Sequence, residues 1–500
     1  MPQPAHAPLN DSGLPDITSR VQAPAYDRTA LVPSVVHIGV GGFHRAHQAL
    51  YFDDLAVDGS TDWGIVGVGL HRPQMGEVLD AQDGLFTVVE RSAERTTARV
   101  VGSIVQYLYA PSDPGAVVRA LSDERTRLVT LTVTGDGYLV DDNGGFDAHH
   151  PDVVHDLQHP DAPRSIVGFL VEGLRLRREH GTGPFTVLSC DNLSDSGAAA
   201  RAAVVGFARL RDDDLATWIE ANVTFPSSLV DRITPETSPA TRDEIEASFG
   251  VPDRWPVVTE PFRQWIVEDE FAAGRPPLDT VGVQFVADVA PYKKVKGRVL
   301  NGGHCALGYL GTLQGHPTTD KAMGDDVIRT ALERMLADEV LPLLPTLPGV
   351  DLDEYRSTTL ERFSNPAIGD SLARLCRRGS TKMPTYLLPS LHEALDQGRP
   401  HRFLVLAVAA WMRYLRGTDL AGNPLEVSDA QAEELQRLAV EGGDDPRPLL
   451  AMRDVFGDLA DNDEVVRLLG ETLRTLSADG LEAALAFDVD SAAATVEVAA

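Results

Sequence analysis

The stretch SVVHIGVGG, residues 34–42, runs from a β-branched segment directly into Gly39, Gly41 and Gly42, and the residues that follow, RAHQALYFDDLA (45–56), carry helical apolar spacing. A strand that ends in glycines and opens a helix restricts the fold more than any other feature of the chain. Residues without a Cβ let the backbone reverse tightly and approach a phosphate, and a helix N-terminus supplies orphan N–H donors and positive potential. Gly39, Gly41, Gly42, Phe43 and His44 are therefore candidate dinucleotide-binding residues, with His44 standing where the pattern G-x-G-x-x-G has its third glycine. Such a unit usually carries an acidic residue after its second strand to hold the ribose hydroxyls, whereas GVGLHRPQ offers His71 and Arg72. Arg72 joins the candidates, and both NAD and NADP remain open.

Further strand-like runs occur at WGIVGVG (63–69), LFTVVE (85–90), RLVTLTVT (127–134) and FTVLSC (185–190), with helical stretches between several of them, which indicates a largely parallel α/β sheet. From about Pro291 the pattern changes to amphipathic helices such as DDVIRTALERMLADEVLPLL and SDAQAEELQRLAVEG, the second with Ser428 as its expected N-cap. The expected organisation is α/β: a Rossmann-type dinucleotide-binding domain over residues 1–288, of which 1–30 form a loose leader, and a mainly α-helical substrate and catalytic domain over 289–500. The apolar run FLVLAVAAWM (403–412) falls short of the ~20 residues a membrane span needs and reads as a buried helix.

The chain has 74 acidic and 44 basic residues among 500, a formal charge of −30 that would repel nucleic acid and anionic membrane and leaves small-molecule chemistry as the better fit. Cys190, Cys305 and Cys376 are scattered, without C-x-x-C spacing, which points to a reducing, cytoplasmic setting. The histidines of DAHHPDVVHDLQHP and the pair His44 and His47 lack the carboxylate or thiolate partners of common metal sites, so no metal is expected.

The segment YKKVKGRVLNGGHCALGYLG (292–311) sets a lysine beside an apolar helix. Tyr292 and Lys296 form Y-x-x-x-K, the acid/base pair of short-chain dehydrogenases. Alternatively Lys296 is itself a base, with Asn301 and His304 on the helix it opens; at about 100° per residue the three side chains fall within roughly 140° of arc and can line one wall of a cleft. A helix end with a snorkelling lysine, a turn asparagine and a core histidine is the plain alternative.

Six blocks in order, VHIGVGGFHRAHQALYFDDL, SCDNLSDSG, VDRITP, WPVVTEPFRQWIVED, KGRVLNGGH and RFSNPAIGDSLARLC, resemble the polyol-specific long-chain dehydrogenase/reductase family, and its mannitol-oxidising branch most closely. The resemblance runs from about residue 25 to about 490. It implies a metal-independent, NAD-dependent oxidation of a sugar alcohol to a ketose, D-mannitol to D-fructose and back, by a monomer. It places the general base on Lys296, carbonyl-polarising amides on Asn192 and Asn301, and a substrate-orienting histidine on His304. Asp231, Arg374 and Lys382 fall on positions around the polyol. Alternatives within the family are fructuronate or tagaturonate reduction and D-arabinitol oxidation; outside it, a catalytically inactive nucleotide-binding sensor. Three features depart from the family pattern, one of them GRVLNGGHCAL, whose side chains are shorter than the mannitol-oxidising branch tends to show around this helix. The loop after the second strand carries His71, Arg72, Pro73 and Gln74 in place of acidic residues, and Lys293 stands near where a proton-conducting glutamate is expected.

Overall fold

The computed structural model describes residues 8–139 and 145–486. The chain divides into two compact units, Met1–Ala290 and Pro291–Ala500.

The first unit is built on a five-stranded sheet in the order β5-β2-β1-β6-β7, formed by β1 (Pro33–Ile38), β2 (Gly64–Gly69), β5 (Ile104–Tyr109), β6 (Leu128–Leu131) and β7 (Thr186–Ser189). Every pairing in it is parallel. Helices cover both faces, so the strands are apolar on both sides. Val36, Ile38, Val129 and Leu131 pack with Phe169, Leu170 and Phe207. Val35, Ile65 and Leu188 face the other way, against Leu50, Phe52 and Trp265. Two three-stranded sheets complete the unit: β4 (Thr96–Val101), β3 (Phe86–Arg91) and β9 (Val257–Thr259) in one, β11 (Gln284–Val286), β10 (Gln264–Glu268) and β8 (Ser228–Asp231) in the other. LFTVVE is thus a strand outside the main sheet, because it turns back antiparallel on β4.

The expected loose leader is packed from residue 8 onward; residues 1–7 lie outside the described residues. Leu9, Ile17 and Val21 are buried with Leu85, Val100 and Val251. Tyr26 donates to Asp53 at 2.5 Å, and Arg28 donates to the carbonyls of Gly102 and Ile104, each at 3.1 Å. The polar, proline-rich composition hid a few well-spaced apolar anchors.

The second unit is helical around the helix Arg402–Tyr414, in which every residue from Phe403 to Met412 is buried, as expected for a helix apolar on all sides. The helices Gly302–Leu313 and Asp463–Ala478 pack on it. Ser428 does not cap the helix it precedes. Its carbonyl accepts from Arg378, Asp429 takes the N–H of Gln431, and the helix starts only at Ala432. The N-terminus of Arg402–Tyr414 is satisfied from another element: Glu339, buried, accepts Phe403 N–H at 2.9 Å on one oxygen and Leu404 N–H at 2.8 Å on the other.

Burial raises the Glu339 carboxyl from 4.5 to about 7, against the opposing pull of those two N–H donors. A raised acid stabilises the fold fully below its unfolded value of 4.5, and that contribution is lost as pH rises through about 7. Glu339→Gln sets an amide NH₂ against one of the N–H donors and is expected to cost about 1–3 kcal/mol in urea unfolding at pH 5. The gap between wild type and variant should narrow by pH 8; an equal or widening gap would rule out this account.

Candidate functional site

In the first unit a cleft of about 980 Å³ opens at the C-terminal ends of β1, β2 and β6, lined by the turn Gly39–Phe43, by Gly69–Arg72 and by Thr132–Thr134. The strand order reverses direction between β1 and β6, the switch point where open α/β sheets bind ligands. Gly39 sits at φ +103°, and a Cβ there would lie 2.2 Å from the Thr132 carbonyl oxygen. Only glycine allows β1 to end this way. At Gly41 and Gly42 an added Cβ would meet nothing nearer than 3.7 Å and 3.9 Å respectively, so their missing side chains leave room along the cleft wall. These glycines fit the approach of a dinucleotide pyrophosphate to bare backbone.

Of the expected cofactor residues, Gly39, Gly41, Gly42, Phe43 and Arg72 line the cleft and His44 does not. The His44 ring is buried and stacks on His37 with centroids 3.4 Å apart and an interplanar angle of 8°. It therefore fills the helix–strand contact that the third glycine of the pattern usually keeps thin. His37 lies within hydrogen-bonding distance of Thr130 (Nδ1, 2.8 Å) and Thr132 (Nε2, 3.0 Å). The Thr132 hydroxyl gives its one proton to the Gly39 carbonyl at 2.9 Å, so His37 Nε2 carries the hydrogen and Nδ1 accepts from Thr130. Burial lowers His37 to about 3 and His44 well below its ordinary value, so the stack is neutral. The expected single helix after the turn breaks at His47, whose Nε2 donates to the Gln264 carbonyl at 2.9 Å, giving helices Gly42–Ala46 and Gln48–Val57.

Two residues that the sequence reading passed over hold the rim. Arg45, buried, donates to the carbonyls of Gly41 (3.2 Å) and Trp255 and tethers the glycine turn to the segment before β9. Asp191 accepts from Val133 N (2.9 Å), Thr134 N (2.8 Å) and the Tyr138 hydroxyl (2.7 Å), joining the loops after β6 and β7. Its neighbour Asn192 is exposed at that edge. An arginine inside an apolar helical run was the available signal for the first; for Asp191 there was none. Asp231 is buried at the end of β8, opposite Gln264.

In the second unit Lys296, 8% exposed, ends the helix Ala290–Lys296. A π-helical turn, Gly297–Asn301, follows, in which Gly302 N–H donates to the Gly297 carbonyl five residues back, before α-helix resumes over Gly302–Leu313. The uniform 100° wheel therefore does not hold here: an i→i+5 turn brings residue i+5 nearly above residue i, so Lys296 and Asn301 lie closer to a common face than an α-helix puts them. A second π turn, Met383–Leu387, packs against the first. A Cβ on Gly302 would lie 3.1 Å from the Tyr386 carbonyl oxygen, and one on Gly297 3.6 Å from the Tyr386 ring. The His304 ring lies against Phe363 with centroids 4.3 Å apart and the planes tilted by 33°.

The Tyr292 hydroxyl donates to the Pro348 carbonyl at 3.3 Å. Lys294 pairs with Glu393 at 3.0 Å. Arg374 holds Asp370 with two hydrogen bonds, one of 2.8 Å from Nε. Lys382 donates to the Leu375 carbonyl at 3.1 Å, its pKa lowered by burial. Among the described residues no group of three or more His, Cys, Asp or Glu is placed to hold a metal ion, and no helix is long and apolar enough to cross a membrane.

A parallel sheet carrying a glycine-lined cleft at its switch point, followed by a helical unit that opens on a buried lysine, defines a Rossmann-type oxidoreductase. Residues 33–280 match the mannitol dehydrogenase Rossmann domain and residues 288–477 the mannitol dehydrogenase C-terminal domain. The chain belongs to the mannitol dehydrogenase family. It is 45% identical over 473 residues to mannitol 2-dehydrogenase of Cereibacter sphaeroides, covering 94% of this chain and 99% of that one. It is 44% identical over 488 residues to mannitol 2-dehydrogenase of Aspergillus fumigatus, covering 95% and 97%. Among solved structures, Pseudomonas fluorescens mannitol 2-dehydrogenase in ternary complex with NAD and D-mannitol superposes with a TM-score of 0.83 at 41% identity, covering 95% of this chain and 98% of that one. A substrate-free D-sorbitol dehydrogenase does so with 0.89 at 36% identity, covering 96% and 100%.

The two kinds of glycine in the turn should separate experimentally. Gly39→Ala forces a Cβ into a carbonyl at positive φ and should destabilise the fold by about 1–3 kcal/mol or more. Gly41→Ala should unfold like wild type yet bind dinucleotide at least tenfold more weakly by calorimetric titration. Normal affinity in Gly41→Ala would show that the cleft wall there is not a phosphate contact.

Proposed function

We propose that the protein oxidises D-mannitol to D-fructose with NAD and catalyses the reverse reduction, without a metal ion, as a cytoplasmic monomer. The observation that carries this reading is the buried Lys296 at a π turn bearing Asn301, in a chain 41–45% identical to relatives named for mannitol. NAD, held along Gly39, Gly41, Gly42 and Phe43, supplies the hydride acceptor. Lys296 in its neutral form takes the proton of the substrate hydroxyl; burial of a lysine favours that form. The side-chain amides of Asn192 and Asn301 donate to the substrate oxygen, lowering the cost of the charge that builds on it as the proton leaves. His304, its ring against Phe363, orients the polyol. Asp231, Arg374 and Lys382 complete its polar surroundings, the last two through helices that their own hydrogen bonds brace.

The D-sorbitol dehydrogenase neighbour favours a second substrate, D-sorbitol, whose oxidation at C2 also gives fructose. Initial rates with mannitol, sorbitol and D-arabinitol, and of NADH oxidation with fructose, fructuronate, tagaturonate and xylulose, decide among these. The mannitol–fructose pair is expected to lead, and a preference for a uronate ketose would overturn the assignment. Exhaustive chelation should leave turnover unchanged; loss restored by zinc would reject the metal-free reaction.

Lys296→Ala should lower kcat by about 10²–10⁴-fold with dinucleotide binding and unfolding near normal, because a positioned general base contributes on that order. Added primary amines should restore part of the rate. Lys293→Ala and Lys294→Ala should lose far less. An inactive Tyr292→Phe beside an active Lys296→Ala would return the catalytic role to the Y-x-x-x-K pair.

A further inference from the structure

The loops that follow β6 and β7 are joined by one buried carboxylate, and the residue next to it is Asn192. Asp191, 8% exposed, lies two residues beyond the end of β7. Its Oδ1 accepts the successive N–H groups of Val133 (2.9 Å) and Thr134 (2.8 Å), and its Oδ2 accepts the Tyr138 hydroxyl at 2.7 Å. The phenol gives its one proton to Asp191 and so accepts from the Ser189 hydroxyl at 2.5 Å. The chain therefore leaves the carboxylate at Thr134, passes through the turn Gly135–Tyr138 and returns to it. Thr134 stands at φ +63° and ψ 171°, a region that a β-branched side chain avoids and that glycine occupies freely. A residue stays in so sparsely populated a conformation only where its surroundings over-determine it, and the grip on its N–H supplies that constraint here. On its other side Asp191 acts through its backbone: its carbonyl accepts Leu193 N–H at 2.9 Å, closing an i→i+2 turn with Asn192 at the centre. The Leu193 side chain would lie 3.9 Å from a Cβ on Gly135, so the two loops meet again just beyond these bonds. Thr132, Val133 and Thr134 line the dinucleotide cleft. One residue thus fixes both a part of the cleft wall and the turn that carries Asn192.

We propose that Asp191 is a positioning residue for the oxidation: by holding the Val133–Thr134 backbone it sets the cleft wall against the turn that presents the Asn192 amide, and so aligns the bound dinucleotide with the donor to the substrate oxygen. The inference rests on the reading of Asn192 as that donor and goes beyond it in naming the group that aims it. Asp191 acts through the two loops and touches no reacting atom. Hydride transfer is sensitive to such alignment, since a misplacement of about 1 Å costs on the order of 10²-fold in rate.

Steady-state rates of D-mannitol oxidation by the full chain, referred to the folded fraction given by urea unfolding of each variant, test this role. Asp191→Asn keeps the shape of the side chain but sets an amide NH₂ against one of the donors. It is expected to lower kcat and kcat/KM together, by roughly 10- to 100-fold, with the mannitol KM within about threefold of wild type. Adding Thr134→Gly to that variant should raise kcat again by at least about threefold, because glycine takes up the positive φ without the carboxylate, a gain that the same substitution does not give in wild type. A purely stabilising role for Asp191 predicts no such recovery. Should Asp191→Asn fail to fold, Tyr138→Phe removes one of the three donors and is expected to lower kcat by about two- to fivefold. Wild-type kcat in either variant, or a loss in Asp191→Asn that Thr134→Gly leaves untouched, would overturn the proposal while Asn192→Ala remains impaired. An active Asn192→Ala would instead reject the reading of Asn192, and this proposal with it.

Discussion

The first unit depends on how β1 ends. As the middle strand, hydrogen-bonded on one edge to β2 and on the other to β6, β1 cannot bend away from its neighbours when it leaves the sheet. It must turn in the narrow space under the Thr132 carbonyl, and only a glycine at positive φ fits there. Several other features serve that passage. His37 and Thr132 relay hydrogen bonds to the Gly39 carbonyl, the His37–His44 stack fills the space behind the turn, and Arg45 ties the Gly41 carbonyl to the neighbouring sheet. The groups closest to the turn are thus neutral rings and backbone, with one buried arginine whose charge the carbonyl oxygens of Gly41 and Trp255 help to satisfy.

The second unit solves a different problem. An all-apolar helix is cheap to bury along its length but leaves its first N–H groups without partners in a dry interior. Glu339 meets two of them from the π segment Met335–Val340. The π turn at Lys296 and the one at Met383–Leu387 pack closely through Gly297 and Gly302, where side chains would hold them apart. A π turn widens a helix locally and re-aims the residues around it. Here that local change decides which way Lys296 faces relative to Asn301.

Much of this was legible in the chain because it is local. The glycine turn, four of the five parallel strands (β1, β2, β6 and β7, but not β5) and the buried helix 403–412 follow from residue types and their periodicity within short windows, and the ordered blocks around Asn192, Lys296, Asn301 and His304 carried the resemblance to a polyol dehydrogenase. What was not legible depended on partners distant in sequence. The Ser428 cap was displaced because Asp429 is held by Ser380, 49 residues away. The leader reads as loose because its anchors find their partners only at Leu85, Val100 and Val251. The loop after β6 is held by Asp191, 57 residues from Thr134, and no pattern in the sequence marks that pairing.

By itself, then, the sequence determined the architecture of each unit and the chemistry of its candidate residues, since backbone propensity, apolar period and side-chain type are properties of short segments. Tertiary structure alone decided that the His44 ring is buried in the core and does not line the cleft, that the helix after the turn breaks at His47, and that the lysine helix inserts a π turn. Each of these outcomes turns on satisfying a buried polar group or filling a gap with a distant residue: His37 beneath His44, the Gln264 carbonyl at His47, Tyr386 against Gly302. Such choices exist only once the interior has formed, because in water every one of those groups is already satisfied.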